Sequence, residues 1–185
     1  PAAKTVTIAA DGTTEVAYYY TRNKYLLQWI TDGDALTGAY TKDSVLFETP
    51  IVQPNKPTKK GYLFNGWKGA PVATTMPAQA LTYEALWKPD PNTPYAVHHY
   101  QLNLDGSRPA TPTEIENFTD TTGTLVTPMV KTYEGFTSPA PKTVTIAADG
   151  STVIEYYYTR NQYTLTWVTD GDALTGAYTK GSVLY

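Results

Sequence analysis

Asp32 and Asp34 flank Gly33 and recur as Asp170 and Asp172 around Gly171, which makes them the side chains best spaced to hold a metal ion. Two carboxylates so placed can converge on Ca2+, but calcium takes about six to eight oxygens and no bidentate glutamate follows at loop-ligand spacing. A solvated turn is therefore the better reading of both pairs. The two histidines, His98 and His99, are neighbours, so on a strand they face opposite sides and cannot chelate together. With histidine confined to that pair, no nucleophile, base and acid set is visible. Neither a Gly-x-Ser-x-Gly elbow nor a phosphate-cradling glycine loop occurs. The expectation is a chain that is no enzyme and needs no cofactor. Cysteine is absent, which removes disulfides and thiolate chemistry together. Lys4 and Lys142 have the chemistry for a self-formed isopeptide bond to an asparagine, but that bond needs a neighbouring carboxylate in an apolar setting.

Aromatic side chains are the other candidates. Trp29, Trp67, Trp87 and Trp167 are typed for stacking on a sugar ring, yet they alternate with Leu, Tyr and Ala, which favours packing into a core. Burying one such ring stabilises a small module by about 2 to 3 kcal/mol. The runs Tyr18 to Tyr20 and Tyr156 to Tyr158 must put side chains on both faces of a strand. At least one tyrosine per run is left exposed, and Tyr19 and Tyr157 are the candidates for ligand contact.

The elements that must carry these residues read as strands. Val6 and Ile8 alternate with threonine, Asp11-Gly12 supplies a turn, and Val16, Tyr18 and Tyr20 alternate again, which together predict a hairpin that recurs around Asp149-Gly150. Tyr25, Leu27 and Trp29 predict a strand, followed by the Asp- and Gly-rich loop at 31–38 and a short strand at 44–47. Pro50, Pro54 and Pro57 exclude a central strand or long helix there. Two further strands are expected at 61–67 and 81–87. The proline-laden stretch 88–94 predicts a semi-stiff polyproline spacer. Glu114 to Phe118 has room for one helical turn. No long period of 3.6 appears anywhere, so the chain reads as all-β to α+β with little helix.

The chain also repeats itself. Residues 1–47 return, about three quarters identical, as residues 139–185. A unit of that length means tandem modules, so both ends look like arbitrary cuts through a longer array. Hydrophobic residues make up 41% of the chain, but 16 of its residues are Tyr, which suits thin β-modules with much surface. A net charge of -3 with no basic run argues against nucleic acid as a partner, and no apolar stretch is long enough to insert in a membrane.

Residues 25–88 resemble the Listeria-Bacteroides repeat, the internalin B-repeat. The resemblance is carried by Tyr25-x-Leu27-x-Trp29, Gly61-Tyr62-x-Phe64-x-Gly66-Trp67, Met76-Pro77-Ala78 and Leu81-x-Tyr83-x-Ala85-x-Trp87. It implies a compact β-grasp-like module of a cell-surface protein. Residues 95–161 are similar to MucBP-like repeats through Val97-x-His99-Tyr100, Asp105-Gly106, Thr132-Tyr133-x-Gly135-Phe136 and Asp149-Gly150-Ser151 with Tyr156-Tyr157-Tyr158. The resulting division is 1–23, the end of a MucBP-like module; 24–88, a B-repeat module; 89–94, a linker; 95–161, a MucBP-like module; and 162–185, the start of a second B-repeat. What the resemblances imply is an extracellular, cell-surface or cell-wall-anchored bacterial segment. In it small β-grasp-like modules form an elongated stalk or a filament-forming unit whose partners are neighbouring repeats and further copies of itself. The alternative is an adhesin module that binds host glycoprotein or polysaccharide through exposed aromatics.

Overall fold

The computed structural model describes residues 1–36, 42–167, 170–171 and 180–185. Every regular element among them is a β-strand, and the fold is all-β. The chain divides into two compact units, Pro1–Lys59 with Phe64–Trp87, and Lys60–Leu63 with Lys88–Tyr185.

The first unit is built on β1 (Lys24–Ile30), β2 (Lys42–Leu46), β3 (Tyr62–Lys68) and β4 (Leu81–Pro89), in the order β2-β1-β4-β3. The first and last strands lie parallel at the centre, Leu27 opposite Leu81 and Trp29 opposite Tyr83, and β2 runs antiparallel along β1. Alternation decides which side chains enter the core. Leu27 and Trp29 from β1 and Tyr83 and Ala85 from β4 point inward, where they meet Val45, Trp67 and Met76. Trp29 stacks on Tyr83 with ring centroids 4.6 Å apart and takes the edge of Trp67 at 4.8 Å. Phe64 and Trp67 are three apart in β3, so strict alternation would send them to opposite faces. Gly66, at φ +97°, breaks the period between them and lets both rings meet inside, 5.1 Å apart.

The second unit repeats this arrangement with an unrelated sequence. Its main sheet has β5 (Thr93–Gln101), β6 (Glu114–Asp120), β8 (Phe136–Thr137) and β10 (Val153–Arg160) in the order β6-β5-β10-β8. Again the first and last strands are parallel at the centre, Ala96 opposite Val153 through Gln101 opposite Tyr158, with antiparallel neighbours outside. Both sheets are β-grasp-like in strand order, and among the described residues no helix is laid across them. A small pair, β7 (Leu125–Val126) and β9 (Val144–Thr145), helps close a core of Val97, Val126, Ile146, Ile154, Tyr156 and Tyr158.

A third, two-stranded sheet joins β11 (Gln162–Thr166) to β12 (Lys180–Leu184). Its register, Gln162 opposite Leu184 to Thr166 opposite Lys180, reproduces that of β1 and β2 position for position. Its Trp167 is 55% exposed, whereas Trp29 at the matching position is 4% exposed, because only β1 has β4 beside it.

Three expectations are corrected. The stretch 89–94 is not a polyproline spacer: strand runs through Pro89, resumes at Thr93, and only Asp90-Pro91-Asn92 turns between them. Asp90 closes that turn by accepting the Asn92 amide at 2.9 Å on its side chain and the Thr93 hydroxyl at 3.3 Å on its carbonyl. Residues 114–118 form no helical turn, because five residue pairs with β5, from His99 opposite Glu114 to Tyr95 opposite Phe118, hold them extended. The Asp149-Gly150 turn forms, with Gly150 at φ +72°, but its arms are not a two-stranded ladder. β9 pairs with β7 and β10 with β5 and β8, while the Lys142 amide donates to the Tyr156 hydroxyl at 3.2 Å where a ladder would use a carbonyl.

Candidate functional site

The aspartate loop is a clasp within the first unit. Asp32 takes Lys59 Nζ at 2.5 Å, and Asp34 takes the Thr58 hydroxyl on its carboxylate while its amide donates to the Thr58 carbonyl at 2.7 Å. The Lys59 ammonium beside Asp32 holds its carboxyl below the usual carboxylate range. The two carboxylates thus turn to different partners on the 58–59 strip and do not converge on one point. Of their repeats, Asp170 is exposed and Asp172 lies outside the described residues.

The two histidines separate as a strand requires. His98 faces outward near Tyr100, and His99 is fully buried. Around His99 the second unit assembles a polar chain from three strands and a loop. Tyr158 on β10 accepts the Lys131 amide at 2.9 Å, so its own proton is free to go to His99 Nδ1, 2.8 Å away. His99 Nε2–H then donates to Glu116 on β6 at 2.9 Å. Lys131 Nζ bridges Glu116, at 3.0 Å, and Glu114, which also takes the Tyr133 hydroxyl at 3.0 Å. Hydrogen bonds from Lys131 lower both glutamate pKa values, and the two carboxylates raise that of Lys131 in return. Burial, above all, pushes the Tyr158 phenol up.

Tyrosine, imidazole and carboxylate follow one another here as they would in a relay that activates a hydroxyl. The environment works against such a use. The Tyr158 side chain has no exposed surface, its oxygen is already capped by an amide, and its proton is harder to remove than usual. Each member meets its partners inside, which makes the chain a staple across β10, β5 and β6. The sequence reading saw no such set because its members are 17 and 59 residues apart.

Glu116 and Lys131 also reach the outside, at one end of a groove of about 790 Å3. Tyr95 and Phe118, stacked with centroids 5.4 Å apart, form its floor, and Pro128, Met129 and Val130 its wall. Met129 is 86% exposed. Glu114, Glu116 and Phe118 alternate on β6, and that period of two was the signal available in the sequence.

The tyrosine candidates land in different settings. Tyr19 is 82% exposed. Tyr157 lies half-buried on the outer face of the sheet, stacked on Tyr100 at 5.4 Å, with its hydroxyl on Glu155 at 2.5 Å. Arg108 covers Tyr100 and pairs with Glu155 at 2.7 Å. Tyr19 and Tyr157 belong to different units. Trp29 and Trp67 are core residues, Trp87 packs against that core, and neither lysine candidate meets an asparagine: Lys4 Nζ donates to the Ala17 carbonyl and Lys142 Nζ to that of Glu155.

No family model matches this chain, and no curated protein does. Among solved structures, one titled "Crystal structure of Mub-RV" aligns with 75% of this chain and 99% of its own, at 12% identity and a TM-score of 0.19. A likeness that slight carries no argument about fold or function.

Proposed function

We propose that this chain is a non-enzymatic repeat segment of a bacterial cell-surface protein, in which B-repeat-like and MucBP-like modules alternate as an elongated stalk or spacer. The observation that carries the reading is repetition at two levels. Unrelated sequences build the same β2-β1-β4-β3 type of sheet in each unit, and the β1–β2 hairpin returns as β11–β12 in the same register. Modules that each own a core can be added in series without redesign, and length is then the product. The polar chain around His99 serves cohesion in this reading, since each of its groups is held within the unit. Solution scattering tests it: the maximum dimension is expected to grow in proportion to the number of repeats. A compact particle would overturn it.

A second reading, adhesion, is favoured by the open groove over Tyr95 and Phe118. Aromatic floors with a polar end accept the apolar face and hydroxyls of a sugar, and an array multiplies weak sites. A glycan array displaying the chain at high valency tests it. Binding lost in Phe118→Ala supports adhesion, and no binding at any valency removes it.

A further inference from the structure

A single residue separates two sheets of the second unit. β10 ends at Arg160 and β11 begins at Gln162, so Asn161 alone stands between the four-stranded sheet and the β11–β12 hairpin. Such a joint swings freely unless something holds it, and Asn161 is held on three sides. Its amide donates to the Gly135 carbonyl at 2.8 Å, its carbonyl accepts the Tyr185 amide at 3.1 Å, and its side-chain oxygen accepts the Thr137 hydroxyl at 2.7 Å. The Tyr185 ring lies directly on Gly135 and meets Phe136 and Tyr163 edge-on, with centroids 6.2 and 6.4 Å away. Gly135 is buried at φ +76°, and glycine is needed there twice over, for the backbone and because a Cβ would overlap the Tyr185 ring. Arg160 lies over Phe136, 4.9 Å from the ring centroid, and its Nε donates to the Leu102 carbonyl at 3.0 Å, which fixes the floor of the seat.

We propose that the corner at Gly135 and Phe136 is a docking seat for the hairpin that opens the following module, and that the Tyr185 ring in this seat sets one fixed direction between the two. Asn161 by itself is a hinge; the ring adds a second point of attachment, and a lever fixed at two points cannot turn. The first copy of the hairpin carries the same parts. Phe47 stands where Tyr185 does, and its amide donates to the Asn23 carbonyl at 2.9 Å as that of Tyr185 does to Asn161. The two copies share a ring and not a hydroxyl, so the seat takes apolar shape and not a phenol. Small modules joined through a short contact are otherwise expected to move against each other. This deepens the stalk reading above, on which it rests for the hairpin as the start of a further module, by naming what makes the stalk stiff.

The experiment uses the full chain, which has no cysteine, with nitroxide labels at Asn117→Cys on β6 and Thr164→Cys on β11, both exposed positions. Pulsed dipolar spectroscopy should give one narrow distance distribution in this labelled parent. Tyr185→Ser should lose it to a broad one, and Tyr185→Phe should keep it. Both variants retain the main-chain oxygen at position 185 that meets Arg160, so the contrast reads the ring alone. Amide exchange along β11 and β12 should stay at the parent rate in Tyr185→Ser. Faster exchange there would make the ring a support of the hairpin itself and would overturn the proposal. A broad distribution in the parent, a narrow one in Tyr185→Ser, or a broad one in Tyr185→Phe would each overturn it as well. A loose joint leaves the stalk reading intact, since modules on loose joints still add length. A compact scattering profile sinks the stalk reading without touching this contact.

Discussion

Residues 1–23 and 139–161 are the same stretch of sequence in two settings. They differ only at Ala3/Pro141, Thr13/Ser151, Glu15/Val153, Val16/Ile154 and Ala17/Glu155. In the second, Ile146 and Tyr158 are 1% and 0% exposed, and residues 153–160 form a strand with two neighbours. In the first, Ile8 and Tyr20 are 81% and 80% exposed, and no residue is in a strand. Composition and pattern are shared, so the difference lies in what surrounds them. β10 has β5 to pair with, His99 to take its tyrosine proton, and Val97 and Val126 to cover its rings.

What survives without that setting is equally informative. Gly12 and Gly150 sit at φ +74° and +72°, and each amide returns to the alanine three residues before, at 3.2 and 3.1 Å. The Ala9 amide finds the Thr14 hydroxyl at 2.8 Å, as the Ala147 amide finds that of Thr152. Lys4 reaches the Tyr18 hydroxyl at 3.2 Å, as Lys142 reaches that of Tyr156. The turn and its clasp form in both copies; only the ladder and the burial depend on company.

Substitutions can break this comparison, and the largest effect is expected at Tyr158. Tyr158→Ala removes a buried ring and strands His99 and the Lys131 amide, so the unfolding free energy should fall by about 3 to 5 kcal/mol. Tyr20→Ala, at the matching exposed position, should stay within about 0.5 kcal/mol of the parent. Urea titration followed by circular dichroism reads both, and equal losses would mean that the first copy is packed in solution.

His99 is a partner that residues 1–23 lack, and replacing it sharpens the contrast. His99→Leu removes one hydrogen bond each from Tyr158 and Glu116 and is expected to cost about 1 to 3 kcal/mol. Amide exchange should quicken along 153–160 and stay unchanged along 15–22. A smaller cost, about 1 to 2 kcal/mol, is expected of Gly150→Ala, since an alanine disfavours that left-handed backbone. An added Cβ there also comes within 3.0 Å of Pro94. Gly12→Ala carries the same left-handed strain at φ +74° but meets open space in a segment with no ladder, so it should lower the melting temperature by less than Gly150→Ala does.

The smallest effect is electrostatic. Glu114 and Glu116 have lowered pKa values in the folded state, so what they contribute is present above the unfolded value of about 4.3 and is lost as pH falls through the folded values. Stability of the second unit should hold from neutral pH to about 5 and decline below about 4. Both carboxylates are partly exposed, so solvent screens the gain. Glu114→Gln with Glu116→Gln should flatten the acid limb; an unchanged limb would assign it to other carboxylates.

Much of the fold was legible because it is written in short periods. The alternation through Tyr25, Leu27 and Trp29, and through Leu81, Tyr83 and Ala85, announced strands and their buried faces. The Asp-Gly turns were equally plain. The hairpin arms were misassigned because pairing depends on which edges are already taken, and β10 is held by β5 and β8. The proline stretch was misread for a similar reason: prolines are tolerated at Pro89 and Pro94, near the ends of their strands, and only three residues remain to turn. Of the site little was read: Glu114 to Phe118 were expected as a helical turn and not as a strand with one shared face, and the groove also needs Tyr95 from a different strand and Met129 from a loop.

The amino-acid order alone determined every contact that closes within a few residues of itself. Turn glycines, hydroxyl caps and the lysine clasp, spanning at most 14 positions, are the same in both copies. Tertiary structure decided which copy becomes a strand and a core. A ladder needs a partner's backbone, a ring needs neighbours to exclude water, and for Tyr158 the polar partner is His99, 59 residues away.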